Sequence, residues 1–265
     1  MFSGNRRKRQ RENPSRKVHL TQRVGGRRKA APRSPLFYKE EKMSERVFQI
    51  VRDAFPQLIE KFFTMTIPLT VLSFALAMAI AVVTAMIQYA HVRGLQRLCR
   101  IYIWIVRCTP LLVQLYLVYY GLPSVGVYLD SFPTAVLVFG INEGAYMAET
   151  VRAAMEAVPS GQMEAGYCVG MSYLSIMGHV VLPQAFRTAF PSLFNSLISM
   201  VKETSLASTI TVTEMFRQAI VINGRVYETL ALYTEVVLIY LAFCSLLTLV
   251  QRWGEKKLSS YGGVR

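Results

Sequence analysis

The amino-acid sequence predicts an all-α membrane protein with five transmembrane helices. Hydrophobic residues make up 52% of the 265 residues and the mean hydropathy is +0.31, which is too apolar for an ordinary soluble domain. Several nearly uncharged segments are long enough to cross a hydrocarbon core of about 30 Å. Basic residues alternate between the ends of these segments, as they do in membrane proteins.

The formal net charge of +14 is concentrated at the N-terminus. Residues 1–42 contain 14 lysines and arginines against 3 acids, whereas residues 43–265 contain 16 against 13. Few residues of the first segment are apolar, so we predict a disordered basic tail. Binding of nucleic acid or anionic lipid by this tail is one alternative function. The tail lacks the interleaved aromatic residues of single-strand binders, and we expect no nucleic-acid partner.

The rest of the chain divides into an amphipathic helix, a transmembrane domain and a short C-terminal tail. Residues 43–63 have apolar side chains at helical spacing, with Ser44 as the predicted N-cap. This helix either lies at the membrane surface or packs on other parts of the protein. The transmembrane domain is predicted over residues 64–258, and residues 259–265 form the tail. The predicted spans are residues 64–88, 101–121, 134–155, 190–212 and 229–250.

Small residues recur at every fourth position of the first span. Side chains at this spacing lie on one face of a helix, and small ones let another helix approach closely. We therefore predict a tight helix–helix contact on this face. The residues are Ser73, Ala77, Ala81 and Ala85.

The charges of the loops predict the orientation in the membrane. Residues 89–100 hold three arginines and no acid, whereas the loop after the second span holds Asp130 and no base. Basic loops face the cytoplasm, so the N-terminus is predicted outside and the C-terminus in the cytoplasm, together with residues 156–189. The basic tail contradicts this orientation, because it would hold the N-terminus inside. We therefore expect that translation starts at Met43 and that residues 1–42 are not translated in vivo.

The cytoplasmic segment 160–184 is predicted to form two short helices separated by Gly170. A glycine at this point supplies a turn that a side chain would obstruct. A helical hairpin of this kind suits docking onto another protein.

This segment resembles the EAA loop of ABC importer permeases. The loop has Glu-Ala-Ala, then a glycine, then an aliphatic residue shortly before Leu-Pro. Gly166 departs from the usual second alanine, which loosens the helix by up to about 1 kcal/mol without breaking its register. The matching residues are Glu164, Ala165, Gly166, Gly170, Leu182 and Pro183.

Four further stretches resemble the polar amino acid uptake branch of these permeases. The resemblance covers about residues 44–258 and implies the type I ABC importer permease fold. The stretches are Arg107–Gln114, similar to R-G-T-P-L-L-V-Q with Cys108 for Gly; Gly144–Glu149, similar to G-A-Y-x-A-E; Leu182–Ala185, similar to L-P-Q-A; and Lys202–Leu206, similar to K-D-T-S-L with Glu203 for Asp.

The resemblance implies a multi-pass permease subunit of the bacterial cytoplasmic (inner) membrane that moves a polar amino acid into the cytoplasm. It implies as partners two ATP-binding cassette subunits, a second copy or a sister permease, an extracytoplasmic amino acid binding protein, and membrane lipid. ATP would bind to the partner subunits, so we expect no enzymatic activity, cofactor or metal in this chain. The EAA loop would couple ATP hydrolysis to transport, with Glu164 and Gly170 foremost. Alternatively, Glu164 is only a charge in the first helical turn.

Ionisable residues within spans are costly and usually face a cavity or a partner. The surplus of acid suits a cationic amino acid or the two ammonium groups of cystine. Alternatively, these side chains only hold helices together. Arg107 is expected near the cytoplasmic end of the second span, where it extends to the interface or orders that end. A proton-coupled secondary amino acid transporter that uses Glu143 and Glu235 is the alternative function. The candidates for the substrate pathway are Gln114, Asn142, Glu143, Tyr146, Glu203 and Glu235.

Overall fold

The computed structural model describes the backbone of residues 35–91 and 93–260, and the side chains of residues 43–91 and 93–258. The chain divides into two units, Met1–Lys42 and Met43–Arg265. Every regular element in the described residues is helical. The α-helices are α1 (Pro35–Lys61), α2 (Ile67–Tyr89), α3 (Arg93–Arg107), α4 (Leu111–Tyr116), α5 (Ser131–Glu156), α6 (Ser160–Cys168), α7 (Tyr173–Ile176), α8 (Leu182–Glu203), α9 (Met215–Val226) and α10 (Thr229–Ser260).

Shorter helical turns join several of these helices. A π-helical turn is wider than an α-helical turn, and a 3₁₀ turn is tighter. The π-helical turns are Phe62–Thr66, Leu117–Gly121 and Met177–Val181, and the 3₁₀ turns are Leu122–Val125 and Thr204–Ile210.

The described part of the chain has two helical stretches that are long and apolar enough to cross a membrane, Met43–Tyr89 and Thr229–Leu258. The pair Arg93–Arg107 and Leu111–Val125 makes a third if it is counted as one bent span. The predicted first and fifth spans lie inside the first two stretches. The predicted third span, residues 134–155, lies inside α5.

The second and fourth predicted spans are wrong as single continuous helices. Within residues 101–121, α3 and α4 meet at an angle of 102°. Pro110 causes this break, because it has no N–H to donate and disfavours a helical conformation of Thr109. In the fourth predicted span, α8 ends at Glu203, the 3₁₀ turn Thr204–Ile210 follows it, and Thr211 after that turn has a φ of 67°.

The N-terminal predictions are partly wrong. Residues 35–42 are helical, so the predicted disordered tail is too long at this end, and Ser44 lies inside α1 and is not its N-cap. The predicted disorder of residues 1–34 and most of the predicted C-terminal tail lie outside the described residues.

The amphipathic part of α1 packs on other parts of the protein, which was one of the two predicted alternatives. Ala54, Leu58 and Phe62 are at most 1% exposed and share a core with residues of α9 and α10. This contact fixes the C-terminal half of α1 against α9 and α10.

The close contact predicted for the first span is confirmed. Ser73, Ala77, Ala81 and Ala85 are fully buried, and the face they form lies against α5. The approach is close because α5 also has small residues on its facing side: a Cβ atom at Gly140 would lie 2.6 Å from Leu76 Cδ2. Small residues on both helices therefore build the centre of the fold.

Two contacts show which ends of the helices lie together. At the end of α2, the Tyr89 hydroxyl donates to Met163 Sδ on α6 at 3.2 Å. Near the start of the second unit, an Arg46 guanidinium nitrogen lies 3.4 Å from the Val226 carbonyl oxygen, at the end of α9. Because Met163 lies in segment 160–184, the first contact places this segment at the same end of the fold as the end of α2 and the arginine-rich start of α3, a stretch that the sequence analysis had taken as a loop.

Candidate functional sites: a polar cavity and a helical hairpin

Gln114 holds the break between α3 and α4. Its Nε2 donates to the Val106 carbonyl at 3.0 Å and contacts Thr109 Oγ1 at 2.7 Å. The last carbonyl groups of a helix have no hydrogen-bond donor within that helix, and the side-chain amide of Gln114 supplies a donor for the Val106 carbonyl at the end of α3. Gln114 Oε1 in turn accepts from Asn142 Nδ2 on α5 at 3.0 Å. The break is therefore a fixed corner joined to α5.

A polar cavity of about 850 Å³ lies beside this corner, between α3, α4, α5 and α8. Asn142 and Glu143 form its buried wall on α5, with 6% and 8% exposure. The cavity is lined by Arg107, Cys108, Thr109, Pro110, Leu111, Asn142, Glu143, Tyr146, Glu149, Thr150, Ser192, Asn195, Ser196, Ser199 and Glu203.

The structure brings four of the six predicted pathway residues together around this cavity: Asn142, Glu143, Tyr146 and Glu203. Gln114 does not line it but lies behind Asn142, to which it is hydrogen-bonded. Gln114 and the four residues that line the cavity thus form one connected region.

Glu235 lies elsewhere. It lines an apolar groove of about 830 Å³ between α1 and α10, whose other walls include Val51, Phe55 and Leu238. Its side chain is 6% exposed, and neither carboxyl oxygen has a hydrogen-bond partner within the described part of the chain. Glu235 is therefore not part of the polar cavity.

Arg107 also lines the cavity, a role that the sequence did not predict. Its guanidinium carbon lies 5.2 Å from the centre of the Tyr146 ring, within the range of a cation–π interaction. The bend at Pro110 brings the end of α3 towards α5, and this turns Arg107 towards the cavity. The cavity lining therefore contains a cationic group as well as acids.

The carboxylate of Glu149 is already engaged. Arg152 donates to it at 2.9 Å, and the same guanidinium contacts Glu156 at 2.6 Å. Of the three acids in the cavity wall, Glu143 and Glu203 therefore remain as carboxylates that face no such ion pair within the described residues.

The polar face of α8 was not predicted from the sequence. Ser192, Asn195, Ser196 and Ser199 fall at positions i, i+3, i+4 and i+7 of the helix and all line the cavity. Polar side chains repeated at this spacing in an apolar helix mark one face, and this signal was present in the sequence. Glu203 continues the same face by one further turn.

The predicted hairpin in segment 160–184 is confirmed as a structure. Helix α6 ends at Cys168, Gly170 has a φ of 78°, and α7 begins at Tyr173. An L-residue with a side chain is strained at this φ, so glycine is suited to the turn. Ser172 caps α7, since its Oγ accepts from the backbone N–H of Ser175 at 3.3 Å.

Gly166 has a packing role that the sequence did not indicate. It is buried, and a Cβ atom there would lie 2.7 Å from Cγ1 of Ile176 on α7. Ile176 is itself fully buried. The glycine therefore lets α6 approach α7, which explains why alanine is absent from this position.

The outer surface of the hairpin is apolar at its tip. Tyr167, Val169 and Leu174 are 52%, 76% and 71% exposed, beside the exposed Glu164 and Ala165. Contiguous apolar surface of this kind occurs where a protein contacts another protein or a membrane. Leu182 is half-buried, and Pro183 lies in the first turn of α8.

No group of three or more His, Cys, Asp or Glu side chains in the described part of the chain is arranged to hold a metal ion.

Comparisons with known proteins give the family. Residues 77–260 match the model of the binding-protein-dependent transport system inner membrane component. The chain is 43% identical over 215 residues to the L-cystine transport system permease protein TcyB of Bacillus subtilis (strain 168), covering 81% of this chain and 92% of that protein. It is 37% identical over 215 residues to the probable amino-acid ABC transporter permease protein PatM of Vibrio harveyi, covering 80% and 96%.

A solved structure agrees with these relatives. The crystal structure of an amino acid ABC transporter with histidines matches with a TM-score of 0.70 and 32% sequence identity, over 76% of this chain and 94% of that chain. The chain therefore belongs to the inner membrane components of binding-protein-dependent transport systems, among the amino-acid ABC permeases. The family predicted from the five motifs is confirmed, and with it the location in the inner membrane.

Proposed function

We propose that this permease imports a polar amino acid with at least one free ammonium group, with cystine as the first candidate, through the cavity between α3, α4, α5 and α8. The observation that carries the proposal is the combination of charges in that cavity. Glu143 and Glu203 suit a substrate ammonium group, and Arg107 suits a substrate carboxylate. An amino acid has both groups close together, which matches acids and a base in one cavity wall.

Cystine is the first candidate for two reasons. Its two ends each carry an ammonium and a carboxylate, so it needs partners of both signs. The relative at 43% identity is named as an L-cystine transport permease. A cationic amino acid such as arginine is the second candidate, because the cavity has more acids than bases.

The hairpin of α6 and α7 is proposed as the contact with an ATP-binding subunit. Its exposed tip offers apolar side chains, and the buried Gly166 keeps the two helices close. Two such subunits would bind and hydrolyse ATP, and a second permease would complete the pathway. An extracytoplasmic binding protein would deliver the substrate. Closure of the ATP-binding subunits would move the docked hairpins and shift the permeases between inward- and outward-facing states.

We propose five membrane crossings with the N-terminus outside and the C-terminus in the cytoplasm. Under this arrangement the bent pair α3–α4 makes one crossing, and α5 and α8 make the third and fourth. The contact between Tyr89 and Met163 supports it, because it keeps the basic start of α3 and the hairpin at one end. The family match lends no support to the proton-coupled alternative.

The function is tested in proteoliposomes that contain the permease, its ATP-binding partner and the binding protein. We expect uptake of labelled cystine that requires ATP inside and stops with a hydrolysis-deficient ATP-binding partner. Arginine and a neutral amino acid are the competing substrates. Uptake that persists with the deficient partner but collapses with an uncoupler would contradict the proposal and favour the proton-coupled alternative.

The coupling role is tested by a pair of glycine variants in the same assay. Gly170→Ala strains a backbone with a φ of 78°, by roughly 1–2 kcal/mol. It should lower substrate-stimulated ATP hydrolysis several-fold and weaken assembly with the ATP-binding partner. Gly161→Ala is the matched control, because a Cβ atom there meets nothing within 4 Å. Equal activity of both variants would remove the hairpin from the coupling mechanism.

A further inference from the structure

Helix α3 has an arginine-bearing face to which the transport function assigns no role. Arg93, Arg97 and Arg100 follow one another at spacings of four and three residues, so they lie on one side of the helix. All three are exposed, and within the described part of the chain none of them forms an ion pair. Helix α3 itself contains no acid.

The neighbouring side of α3 is apolar and also exposed. Leu98 and Ile101 are 68% and 51% exposed, Ile105 is 49% exposed, and Trp104 is 66% exposed. A third side faces the protein through the buried Ile103. A helix with a basic side next to an exposed apolar side is typical of the membrane–water interface.

A cavity of about 420 Å³ lies at the C-terminal half of this helix. Arg100, Trp104 and Arg107 line it at successive turns, together with Ile103 and Cys108. Glu149 lines it too, but Arg152 donates to that carboxylate at 2.9 Å. Two guanidinium groups therefore border an opening next to apolar surface.

We propose that this face of α3, from Arg93 to Trp104, binds the headgroup of an anionic phospholipid through Arg93, Arg97 and Arg100. Guanidinium groups bind phosphate through paired hydrogen bonds, and the acyl chains would lie along Leu98, Ile101 and Ile105. Basic pockets between membrane helices are known to take such headgroups. The inference does not depend on the transported substrate, so it can hold or fail independently of the proposed function.

A membrane lipid fits this face better than a nucleic acid or an acidic protein. The arginines are continuous with exposed apolar side chains on the same helix, and the chain is an inner-membrane component. Nucleic acid would match the charge but would leave Leu98 and Ile105 in water, at a cost in free energy.

Trp104 allows the site to be probed directly. The chain has two tryptophans, so Trp253→Phe leaves Trp104 as the sole tryptophan, which is excited selectively at wavelengths longer than those that tyrosine absorbs. The full-length variant is reconstituted in phosphatidylcholine bilayers that contain either brominated-chain phosphatidylglycerol or, at the same mole fraction, brominated-chain phosphatidylcholine. We expect the phosphatidylglycerol to quench Trp104 several-fold more strongly, and added salt to weaken this preference.

Arginine variants then locate the effect. In the same background, Arg97→Gln should lower the preference for phosphatidylglycerol by about fivefold, and the triple change of Arg93, Arg97 and Arg100 to Gln should abolish it. Glutamine keeps nearly the same helix propensity as arginine. Arg52→Gln and Arg225→Gln are matched controls, because both arginines are exposed but lie on α1 and α9. The controls should keep the full preference.

Quenching by brominated-chain phosphatidylcholine must stay unchanged in every variant, which shows that Trp104 still lies in the bilayer. Equal quenching by the two brominated lipids in the parent chain would overturn the proposal. A triple variant that keeps the preference would also overturn it, because the lipid would then bind elsewhere. If the variants instead lower only the binding of the ATP-binding partner, the face is a protein contact and not a lipid site.

Discussion

The molecule has two openings of nearly equal size and opposite chemistry. The cavity beside the α3–α4 corner has a volume of about 850 Å³, and the groove between α1 and α10 has about 830 Å³. The cavity is lined by side chains such as Asn142, Ser196 and Glu203 from several helices, whereas the groove is lined mainly by apolar residues such as Phe55 and Leu238. Each contains a buried glutamate, but only the cavity surrounds its glutamate with polar groups.

This difference shows that an acid inside a membrane span does not by itself mark a transport pathway. Glu143 shares its cavity with Asn195, Ser196 and Glu203, so a polar solute in this cavity would meet several hydrogen-bonding groups. Glu235 faces the groove with no hydrogen-bond partner in the described part of the chain. The polar neighbours on other helices, not the acid alone, identify the pathway candidate.

The largest effect is expected from the carboxylates of the cavity. Glu143→Gln and Glu203→Gln each remove a charge-assisted hydrogen bond to a substrate ammonium group, which is about 1.5–3 kcal/mol or roughly 10- to 100-fold in transport. The measurement is the initial rate of cystine uptake into proteoliposomes at several substrate concentrations. The shape of the side chain is kept, so the fold should be unaffected.

Glu60→Gln is the control for these variants, because Glu60 is an exposed acid on α1, outside the cavity. It should transport at the parental rate. If both cavity variants also keep that rate, the cavity acids only hold helices together, as the alternative from the sequence supposed.

A smaller effect is expected from Gln114, which supports the cavity without lining it. Gln114→Leu removes the contacts to Val106, Thr109 and Asn142 and leaves buried polar groups without partners. We expect a loss of about 1–3 kcal/mol in stability and a lower melting temperature. Transport should fall less than in Glu143→Gln, because the charged groups remain.

Gln49→Leu provides the comparison for Gln114, since Gln49 is exposed on α1. Thermal unfolding of the purified full-length chain in detergent measures both. A Gln114 variant as stable as the Gln49 variant would mean that the α3–α4 corner is held by Pro110 and packing alone.

The sequence predicted the helical class, the family and four of the fifteen cavity residues, since these depend on local patterns. The small-residue face from Ser73 to Ala85 predicted a close helix contact because spacing alone decides which side chains share a face. The position of Arg107 could not be predicted in this way. It depends on the 102° bend at Pro110, which turns the end of α3 towards α5.

The positions of Glu235 and Gly166 depend on tertiary packing in the same way. In the sequence, Glu235 and Glu143 are both acids within apolar helices. Only the packing of α1, α5, α8 and α10 places one in an apolar groove and the other in a polar cavity. From the sequence alone, Gly166 is only a residue that destabilises its helix. In the folded chain Ile176 lies so near that a Cβ atom on Gly166 would be 2.7 Å from it. By contrast, the polar face of α8 was readable from its spacing.

The smallest effect on transport is expected from the groove. Glu235→Met replaces a buried carboxyl group without a partner in the described residues by an unbranched apolar side chain of similar length. A buried polar group that lacks a hydrogen bond costs about 1–3 kcal/mol, so the variant should unfold at a higher temperature than the parent chain. Uptake of cystine should stay within about twofold, because the groove is separate from the polar cavity. A variant that unfolds earlier and transports tenfold less would place Glu235 in the mechanism, and the two openings would then have to act together.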